Sequence, residues 1–570
     1  MTSSFLSRLK IVSIALAVFA VLLITKLFFV QILHGASYSE RADRQYATPQ
    51  GSLFERSAIY FTRKDGELAA VATTTTGFKI AVVPKTLVDL DATYEKLNAI
   101  VPVDHDAYVL KTAKKDDPYE EIAMHLTKGE ADAVTALALP GVSIYQEKWR
   151  FYPGGTLASN ILGFVGFQGD TLSGRSGLER YYNDVLTAKA DTSYVNFFAE
   201  IFSNLRDTFK NNTQEGDIVV SIDPAIQAYL DKTLQDVYQK WTADSAGGII
   251  VDPKTGTIYA MSVMPNFDPN TYSKVRDVSV FADPLVEDVF EMGSVVKALT
   301  MAAGLDAGLV TPETTYNDQG FLILNKQRIN NFDLKGRGPH TTMQQVLNES
   351  LNTGATFVMQ KLGRDQFRKY MLSYGIGEKS GVDLLGEVND MTANLNSTRD
   401  IEYATASFGQ GIALTPVAAV RAFSVLANGG HLTTPHLLSE IKYADGTVKK
   451  ADFPVGTEQI IKPETSVTIS RMLVQAFDKG LLGGKFKMEH YSVAAKTGTA
   501  QIAKEDGRGY YTDKYLHTLF GYFPAYDPQF LVFLYMKNPK GVNFSSNTLS
   551  YPFVDITKYL INDYQIAPDR

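Results

Sequence analysis

The sequence predicts an α+β protein with one N-terminal transmembrane helix, a middle region without catalytic motifs, and a larger C-terminal domain that carries the chemistry. Three observations predict this organisation. Residues 11–33 are strongly apolar, residues 211–216 are polar and turn-prone, and the chain beyond them alternates β-hairpin patterns with helical patterns. A chain of 570 residues is long enough for two or three folded units.

Composition excludes several classes of function. The formal net charge is -7 and no dense run of Lys and Arg occurs, so a nucleic-acid partner is not expected. The chain contains no cysteine, which excludes thiolate catalysis, disulfides and Cys-ligated zinc together. Its 8 histidines are scattered and form no HExxH pattern, so no metal site is predicted.

The apolar run over 11–33 predicts a single-pass membrane anchor. At 1.5 Å per residue it is long enough to span a hydrocarbon core of about 30 Å. Arg8 and Lys10 precede the span, which favours a cytoplasmic tail over 1–10 and an exterior position for everything beyond residue 34. Arg41 and Arg44 follow the span and weaken this orientation. A signal peptide cleaved near Gly35 is the alternative, but the apolar stretch is long for one.

The middle region, residues 34–212, shows mixed patterns and no catalytic constellation. Residues 118–138 carry apolar side chains near helical spacing, so a helix is predicted there. Residues 142–153 alternate in character and predict a strand. The region is interpreted as a spacer or docking module.

Residues 213–570 are predicted to form the catalytic domain. A strand leads into a helix that begins at Asp223-Pro224. Residues 247–251 and 257–263 then flank a turn and predict a β-hairpin. Helices mixed with hairpins predict an α+β fold for this domain.

Three short motifs carry chemistry: S-x-x-K, S-x-N and K-T-G, a trio shared by serine β-lactamases and penicillin-binding proteins. Each is weak alone, because the chain contains further matches at Ser7–Lys10, Ser439–Lys442, Ser545–Asn547 and Lys254–Gly256. Ser7 lies before the membrane span, Ser439 lies in a pattern typical of a strand, and Lys254 lies in a predicted turn. The candidate set, in chain order, is Ser294–Lys297, Ser350–Asn352 and Lys496–Gly498.

Ser294 is predicted to be the nucleophile and Lys297 its base. The surrounding segment is apolar enough for a buried helix beginning at Gly293, so Ser294 would occupy a first turn that favours a developing anion. Lys297 would lie beside the hydroxyl, one turn on, and burial lowers the pKa of a lysine toward usefulness as a base. A capping serine with a snorkelling lysine is the alternative, but it does not explain the ordered trio.

Ser350 and Asn352 are predicted on a loop between two helices. Ser350 would relay a proton between the lysines and the leaving or entering amine. Asn352 would hold the substrate amide through its carboxamide dipole. A polar loop without a catalytic role is the alternative.

Lys496 is predicted where an apolar strand ends, and two core strands that follow place it on a sheet edge. Lys496 supplies a positive charge and Thr497 a hydroxyl for a terminal carboxylate. Gly498 would let the substrate backbone approach closely. The N–H groups of Ser294 and Thr499 are candidates for an oxyanion hole. A surface turn is the alternative.

With these motifs in place, the sequence resembles a class B penicillin-binding protein along nearly its whole length. The order and spacing of the trio are similar to those of the family, as are Arg150-Phe-Tyr-Pro-Gly-Gly155, the segment around Glu179, VDPKTGTIYAMSVMPNFDPN and SFGQGIALTPVAAVRAFSVLANGG. Met292 stands where the family usually has proline. The early R-G-x-I-x-D-R-x-G pattern survives only loosely, as Arg56-Ser57 and Arg63-Lys-Asp-Gly66.

The resemblance implies both a fold and an activity. The fold is an elongated pedestal over 34–212 and a serine β-lactamase/transpeptidase-like domain over 213–570, with a central antiparallel sheet flanked by helices. The activity is that of a peptidoglycan D,D-transpeptidase. Lys297 would deprotonate Ser294, which attacks the penultimate D-Ala carbonyl of a stem pentapeptide and releases D-Ala. An amine of a neighbouring stem peptide would then resolve the acyl-enzyme into a cross-link, without any metal or organic cofactor.

The resemblance also implies partners. These are peptidoglycan stem peptides, β-lactams that acylate Ser294, the cell membrane, and a polytopic membrane glycosyltransferase. Lys26, inside the predicted span, would contact that enzyme or snorkel to the interface. Two alternatives share the trio: a serine β-lactamase, which is usually much shorter, and a β-lactam-binding sensor or scaffold.

Overall fold

The structure, a computed structural model, describes residues 19, 26, 55–168, 171–187, 215–453, 456, 458–505 and 509–570. The predicted tail over 1–10 lies outside the described residues, as does the predicted anchor over 11–33 apart from Phe19 and Lys26. Within the described ranges, every helix is too short or too polar to cross a bilayer.

The chain divides into two compact units. Among the described residues, the first unit includes residues 55 and 74–149, and the second includes residues 56–73, 150–168, 171–187 and those described from 215 onward. Strand β1 (Ile59–Thr62) lies in the second unit, and the long strand β2 (Leu68–Val82) begins in the second unit and ends in the first.

In the first unit, the end of β2 pairs antiparallel with β3 (Glu120–Leu126), with Phe78 opposite Leu126. An apolar core that includes Ile80 and Val134 lies between these strands and three helices. The helices are α1 (Leu90–Asn98), α2 (His105–Thr112) and α3 (Lys128–Ala136), and strand β4 (Val142–Phe151) follows them.

The predicted helix over 118–138 is wrong in its first half, where the chain forms β3. The helix begins only at Lys128, because Thr127 and Glu130 form a capping box: the Thr127 N–H donates to Glu130 Oε2 (2.8 Å) and the Glu130 N–H donates to Thr127 Oγ1 (3.3 Å). Backbone pairing with β2 outweighs the helical spacing of the preceding residues. The strand predicted over 142–153 is confirmed as β4.

The second unit contains the remaining elements. Its strands are β5 (Val165–Gln168), β6 (Thr171–Gly174), β7 (Gly216–Val220), β8 (Ser245–Val251), β9 (Ile258–Met264), β10 (Thr315–Asp318), β11 (Phe321–Leu324), β12 (Gln327–Asn330), β13 (Gly338–Thr342), β14 (Leu438–Tyr443), β15 (Val448–Lys450), β16 (Ala494–Ala503), β17 (Tyr510–Phe523) and β18 (Phe530–Lys537). Its helices are α4 (Ser159–Leu162), α5 (Gly177–Tyr181), α6 (Asn183–Leu186), α7 (Pro224–Lys240), α8 (Pro284–Glu287), α9 (Lys297–Asp306), α10 (Met343–Asn348), α11 (Asn352–Ser373), α12 (Asp400–Ala406), α13 (Pro416–Ala427), α14 (Pro463–Gln475), α15 (Ser545–Thr548) and α16 (Ser550–Asp563).

A five-stranded antiparallel sheet with the order β16-β17-β18-β8-β9 forms the centre of the second unit. Its residues alternate between two apolar cores. Ile249, Phe520 and Phe533 face the core that contains α9, α11, α13 and α14, whereas Ile250 and Val532 face the core that contains α7 and α16. The expectation of a central antiparallel sheet flanked by helices is confirmed.

Several local predictions in this unit are also confirmed. The predicted hairpin is β8–β9. Helix α7 follows Asp223, whose carboxylate accepts the N–H groups of Ala225 and Ile226 (2.8 and 3.1 Å), with Pro224 in its first turn. The two predicted core strands after Lys496 are β17 and β18, and β16 lies at the edge of the sheet. The sheet therefore presents one free strand edge beside the candidate motifs.

Candidate active site

Ser294 lies on a 3-10 turn, Gly293–Val296, that leads directly into α9. Gly293 has φ +64, and a Cβ on it would lie 2.9 Å from the Thr499 carbonyl oxygen. Only glycine fits both this backbone conformation and the close approach to β16. The predicted helical start at Gly293 is confirmed, although its first turn is 3-10 rather than α.

Lys297 is buried, with 1% of its surface exposed, and makes three contacts through its Nζ atom. Nζ lies 2.9 Å from Ser294 Oγ, 2.6 Å from the Ser350 carbonyl oxygen and 3.1 Å from Ser350 Oγ. A neutral amine has two N–H donors and one lone pair, so it can donate twice to Ser350 and accept the Ser294 proton. Burial, and then the charge of Lys496, hold the pKa of Lys297 well below its ordinary value.

Ser350 lies in the short connection between α10 and α11, as predicted. Its φ of +55 is unusual for a residue with a side chain and costs on the order of 1–3 kcal/mol. In this conformation both its carbonyl oxygen and its hydroxyl contact Lys297, and the hydroxyl also lies 3.0 Å from Lys496 Nζ. Ser350 Oγ therefore bridges the two lysines.

Lys496 lies on β16, and the structure corrects one detail of its predicted surroundings. The strand does not end at the motif but continues through it to Ala503. Lys496 alternates to the buried face, where Nζ also donates to the Thr497 carbonyl (3.0 Å) and where burial lowers its pKa to about 7. Thr497 and Thr499 alternate to the half-exposed face that borders the cleft.

Gly498 is buried, and the structure gives it a different role from the predicted approach of substrate. A Cβ there would lie 2.3 Å from Thr518 Oγ1 and 2.7 Å from the Met292 carbonyl oxygen. The close approach that requires glycine is therefore between β16 and the turn that carries Ser294. Thr518 Oγ1 itself donates to the carbonyl of Met292 (2.8 Å), the residue that stands where the family that this sequence resembles usually has proline.

Asn352 does not lie on the predicted loop but begins α11, and its Nδ2 donates to the Asn330 carbonyl (2.8 Å). Sequence reasoning missed the buried network that fixes this start. Asp318 accepts from Asn331 Nδ2 through both carboxylate oxygens (3.0 Å each) and from Thr353 Oγ1 (2.8 Å). The loop around Asn331 and the start of α11 are thereby held together.

Glu291 was also missed, although it lies three residues before Ser294. Its Oε1 accepts from the Gly411 N–H (2.9 Å) and the Tyr510 hydroxyl (3.0 Å), and burial raises its pKa. It therefore joins the nucleophile turn to the loop at 409–411 and to β17. Its neighbour Met292 stands where the family that this sequence resembles usually has proline. No local pattern in the sequence identifies Glu291 itself.

The cleft beside these residues is a cavity of about 1020 Å³ in the second unit. Candidate residues on its wall are Ser294, Ser350, Asn352, Lys496, Thr497 and Thr499. Three distant stretches of chain therefore contribute to one pocket, in which a hydroxyl, a buried amine of lowered pKa and a bridging serine lie within hydrogen-bond distance. Such an arrangement can activate a serine hydroxyl for acyl transfer.

Comparisons with known proteins give the same class as the fold and the site. Residues 246–556 match the Penicillin binding protein transpeptidase domain, and residues 55–220 match the Penicillin-binding Protein dimerisation domain. The chain is similar in fold to penicillin binding protein 2X of Streptococcus thermophilus, with a TM-score of 0.72 and 20% identity over 90% of this chain and 80% of that one.

Curated relatives make the assignment more specific. The chain is 30% identical to Stage V sporulation protein D of Bacillus subtilis over 93% of this chain and 81% of the relative. It is 26% identical to Peptidoglycan D,D-transpeptidase FtsI of Escherichia coli over 79% of this chain and 73% of the relative. The chain belongs to the class B penicillin-binding proteins, and its activity is peptidoglycan D,D-transpeptidation in cell-wall synthesis.

Proposed function

We propose that the chain cross-links peptidoglycan through an acyl-enzyme on Ser294, with Lys297 as the base. The observation that carries this proposal is the position of Lys297 Nζ, 2.9 Å from Ser294 Oγ and in contact with Ser350. Burial, and then the charge of Lys496, lower the pKa of Lys297, which favours the neutral amine. A neutral amine whose two N–H groups are engaged by Ser350 presents its lone pair to the serine proton.

Acylation then follows from the same contacts. Ser294 Oγ forms a bond to the penultimate D-Ala carbonyl carbon while its proton passes to Lys297. Backbone N–H groups of Ser294 and Thr499 receive the oxyanion, a type of interaction worth about 3–4 kcal/mol per donor. The C–N bond breaks, and the leaving amine takes a proton through Ser350 Oγ, which bridges the two lysines. Lys496 and the Thr497 hydroxyl hold the terminal carboxylate, and Asn352 holds the substrate amide.

Deacylation by an amine reverses these steps. A neutral amine of a neighbouring stem peptide forms an N–C bond to the acyl carbon, and its proton passes through Ser350 and Lys297. The C–Oγ bond breaks and Ser294 recovers its proton. The absence of a side chain at Gly498 supports this mechanism. It lets β16 pack close to the turn that carries Ser294, so that both can border the substrate carbonyl.

Labelling with a fluorescent penicillin tests the proposal. We expect stable covalent labelling that is lost in Ser294→Ala and strongly slowed in Lys297→Ala, together with release of D-Ala from a donor pentapeptide. Lys254→Ala, in the K-T-G match of the β8–β9 turn, is the matched control and should label normally. Rapid turnover of the label would indicate a β-lactamase, and labelling without D-Ala release would indicate a sensor or scaffold.

We further propose that residues 11–33 anchor the chain in the cell membrane as a single span. Residues 1–10 then lie in the cytoplasm, the pedestal over 34–212 and the transpeptidase domain over 213–570 lie outside, and a polytopic membrane glycosyltransferase supplies the glycan. The apolar length of the segment and the basic residues before it support this topology.

Removal of residues 1–34 tests the anchor. The full chain should fractionate with membranes and resist extraction by high salt, whereas the shortened chain should be recovered in the aqueous fraction and still label with penicillin. Recovery of the full chain in the aqueous fraction would contradict the topology.

A further inference from the structure

The catalytic cavity is longer than a donor terminus requires. Ala495 and Gln501, at opposite ends of the motif strand β16, both border it. Six residues of a strand span about 20 Å, whereas the two residues of a D-Ala-D-Ala terminus span about 7 Å. The remaining length leaves room for other parts of the two stem peptides.

One end of the cavity, here called the Lys479 arm, lies near the Ala495 end of β16. Phe477 packs in the same apolar core as Ala495, and a Cβ on Gly480 would lie 2.4 Å from the Asn348 carbonyl oxygen. It is bordered by Leu347, Asn348, Glu349, Lys479, Gly480 and Leu482. Lys479 belongs to a π-helical turn, Ala476–Gly480, that ends α14, and such turns are frequent at functional sites.

The acidic residues around Lys479 are already engaged with other side chains. Asp478, its neighbour, pairs with Arg570, and Glu349 accepts from Arg337 Nε (2.7 Å) and Gln345 Nε2 (2.6 Å). Arg337 is in turn paired with Asp333 (2.8 Å). Among the residues that the structure describes, Lys479 has no hydrogen-bond or ion-pair partner. The wall of this arm therefore carries an exposed lysine without a protein counter-ion in the described part of the chain.

The position of this cation relative to Ser294 identifies the part of the substrate that reaches it. Gly498 packs against the Ser294 turn, so the scissile carbonyl lies beside that point of β16. With the terminal carboxylate at Lys496 and Thr497, the leaving D-Ala lies on the side of Ala495, about 10 Å along the strand from Gly498. The acceptor amine must enter where the leaving amine departs, because aminolysis is acylation in reverse.

We propose that the Lys479 arm is the acceptor subsite, and that Lys479 binds a carboxylate of the acceptor stem peptide remote from its reacting amine. This inference rests on the proposed function, since it assumes acyl transfer at Ser294. The ligand is thus an anionic stem peptide, and the same peptide with its carboxylates converted to amides binds less well. The donor stem is a second possible source of the carboxylate, and the experiment separates the two.

The test uses the full chain, a peptide thioester donor ending in D-Ala, and two synthetic stem tetrapeptides as acceptors, one with free carboxylates and one fully amidated. The unmodified protein should show an apparent KM for the free acceptor about fivefold lower than for the amidated one, the factor that a partly exposed ion pair supplies. Lys479→Gln should abolish this difference. Lys487→Gln, an exposed lysine on the same segment that does not border the cavity, should retain it.

Three results would overturn the inference: equal KM values for the two acceptors in the unmodified protein, a preference that survives in Lys479→Gln, or a Lys479→Gln defect in the apparent KM of the donor. The last result would assign the carboxylate to the donor stem. Acylation of Ser294 by the thioester is read in the same reaction, so its absence in the unmodified protein identifies failure of the proposed function itself. Normal acylation with no acceptor preference identifies failure of the subsite alone.

Discussion

Two buried lysines that share one hydroxyl are the central electrostatic feature of the site. Lys297 Nζ and Lys496 Nζ lie 3.1 and 3.0 Å from Ser350 Oγ. Two ammonium ions at such a spacing repel each other in a dry environment, so at least one of them must be neutral. We assign Lys297 as the neutral one, because both burial and the charge of Lys496 lower its pKa.

Lys496→Gln should therefore move the pH dependence of acylation by penicillin. Acylation requires neutral Lys297, so the rate rises with pH through the lowered pKa of that amine. Removing the Lys496 charge raises the Lys297 pKa, which shifts the rising limb to higher pH. Loss of the Lys496 contact to Ser350 Oγ disturbs the proton relay and lowers the maximal rate by about 100-fold. Stopped-flow labelling across pH measures both effects. Lys254→Gln is the matched control, and a rising limb that stays in place would refute the coupling.

The packing of β16 against the Ser294 turn depends on the absence of a side chain at Gly498. Gly498→Ala should push the strand and the turn apart, because its Cβ would lie 2.3 Å from Thr518 Oγ1 and 2.7 Å from backbone. Overpacking of this kind costs about 1–3 kcal/mol, and we expect acylation to slow at least tenfold with a lower Tm. Gly129→Ala, in α3 with open space around it, should keep normal labelling and a Tm that is unchanged or higher. Normal labelling by Gly498→Ala would show that the contact is not needed.

The contrast between β3 and the motif segments shows what sequence patterns could predict. Apolar runs with strong caps or turns were predicted well: Asp223-Pro224 begins α7, and the turn after Val251 separates two core strands. Residues 120–126 are mostly good helix formers, and only their pairing with β2, which is distant in sequence, makes them a strand. The same limit hid Asp318 and Glu291, whose partners come from distant segments and leave no local pattern. The three motifs were predictable because their chemistry requires particular residue types at short spacing. The further S-x-x-K match at Ser439–Lys442 lies on β14, which shows that a motif identifies a catalytic residue only when its place in the fold also fits.

In the second unit as a whole, a buried charge cluster joins two early segments, one that begins at Arg56 and one that contains Arg150 and Glu179. Glu179 is fully buried, and its two carboxylate oxygens accept from Arg56 Nε and Arg150 Nε, each at 2.6 Å. The Tyr152 hydroxyl donates to the same carboxylate (3.2 Å), and Arg150 also donates to the Ser57 carbonyl (2.7 Å). These residues fall in stretches that resemble family signatures, so the structure gives those signatures a physical reason: they supply one carboxylate and two guanidinium groups to a single dry site.

Glu179→Ala should destabilise this unit far more than removal of a surface carboxylate does. Two guanidinium groups would remain buried without their counter-ion, a situation that costs about 3–5 kcal/mol, whereas Glu440→Ala removes only a half-exposed pair with Lys442 and should cost less than about 1 kcal/mol. The arginines hold the pKa of Glu179 below its ordinary 4.5, so its contribution is complete above pH 4.5 and is lost as the pH falls through the lowered pKa. Thermal unfolding should therefore show a large gap in Tm between the unmodified protein and Glu179→Ala at pH 7, and a gap that narrows below pH 4.5. A gap that stays constant with pH would mean that lost packing, rather than the unpaired charges, accounts for the loss of stability.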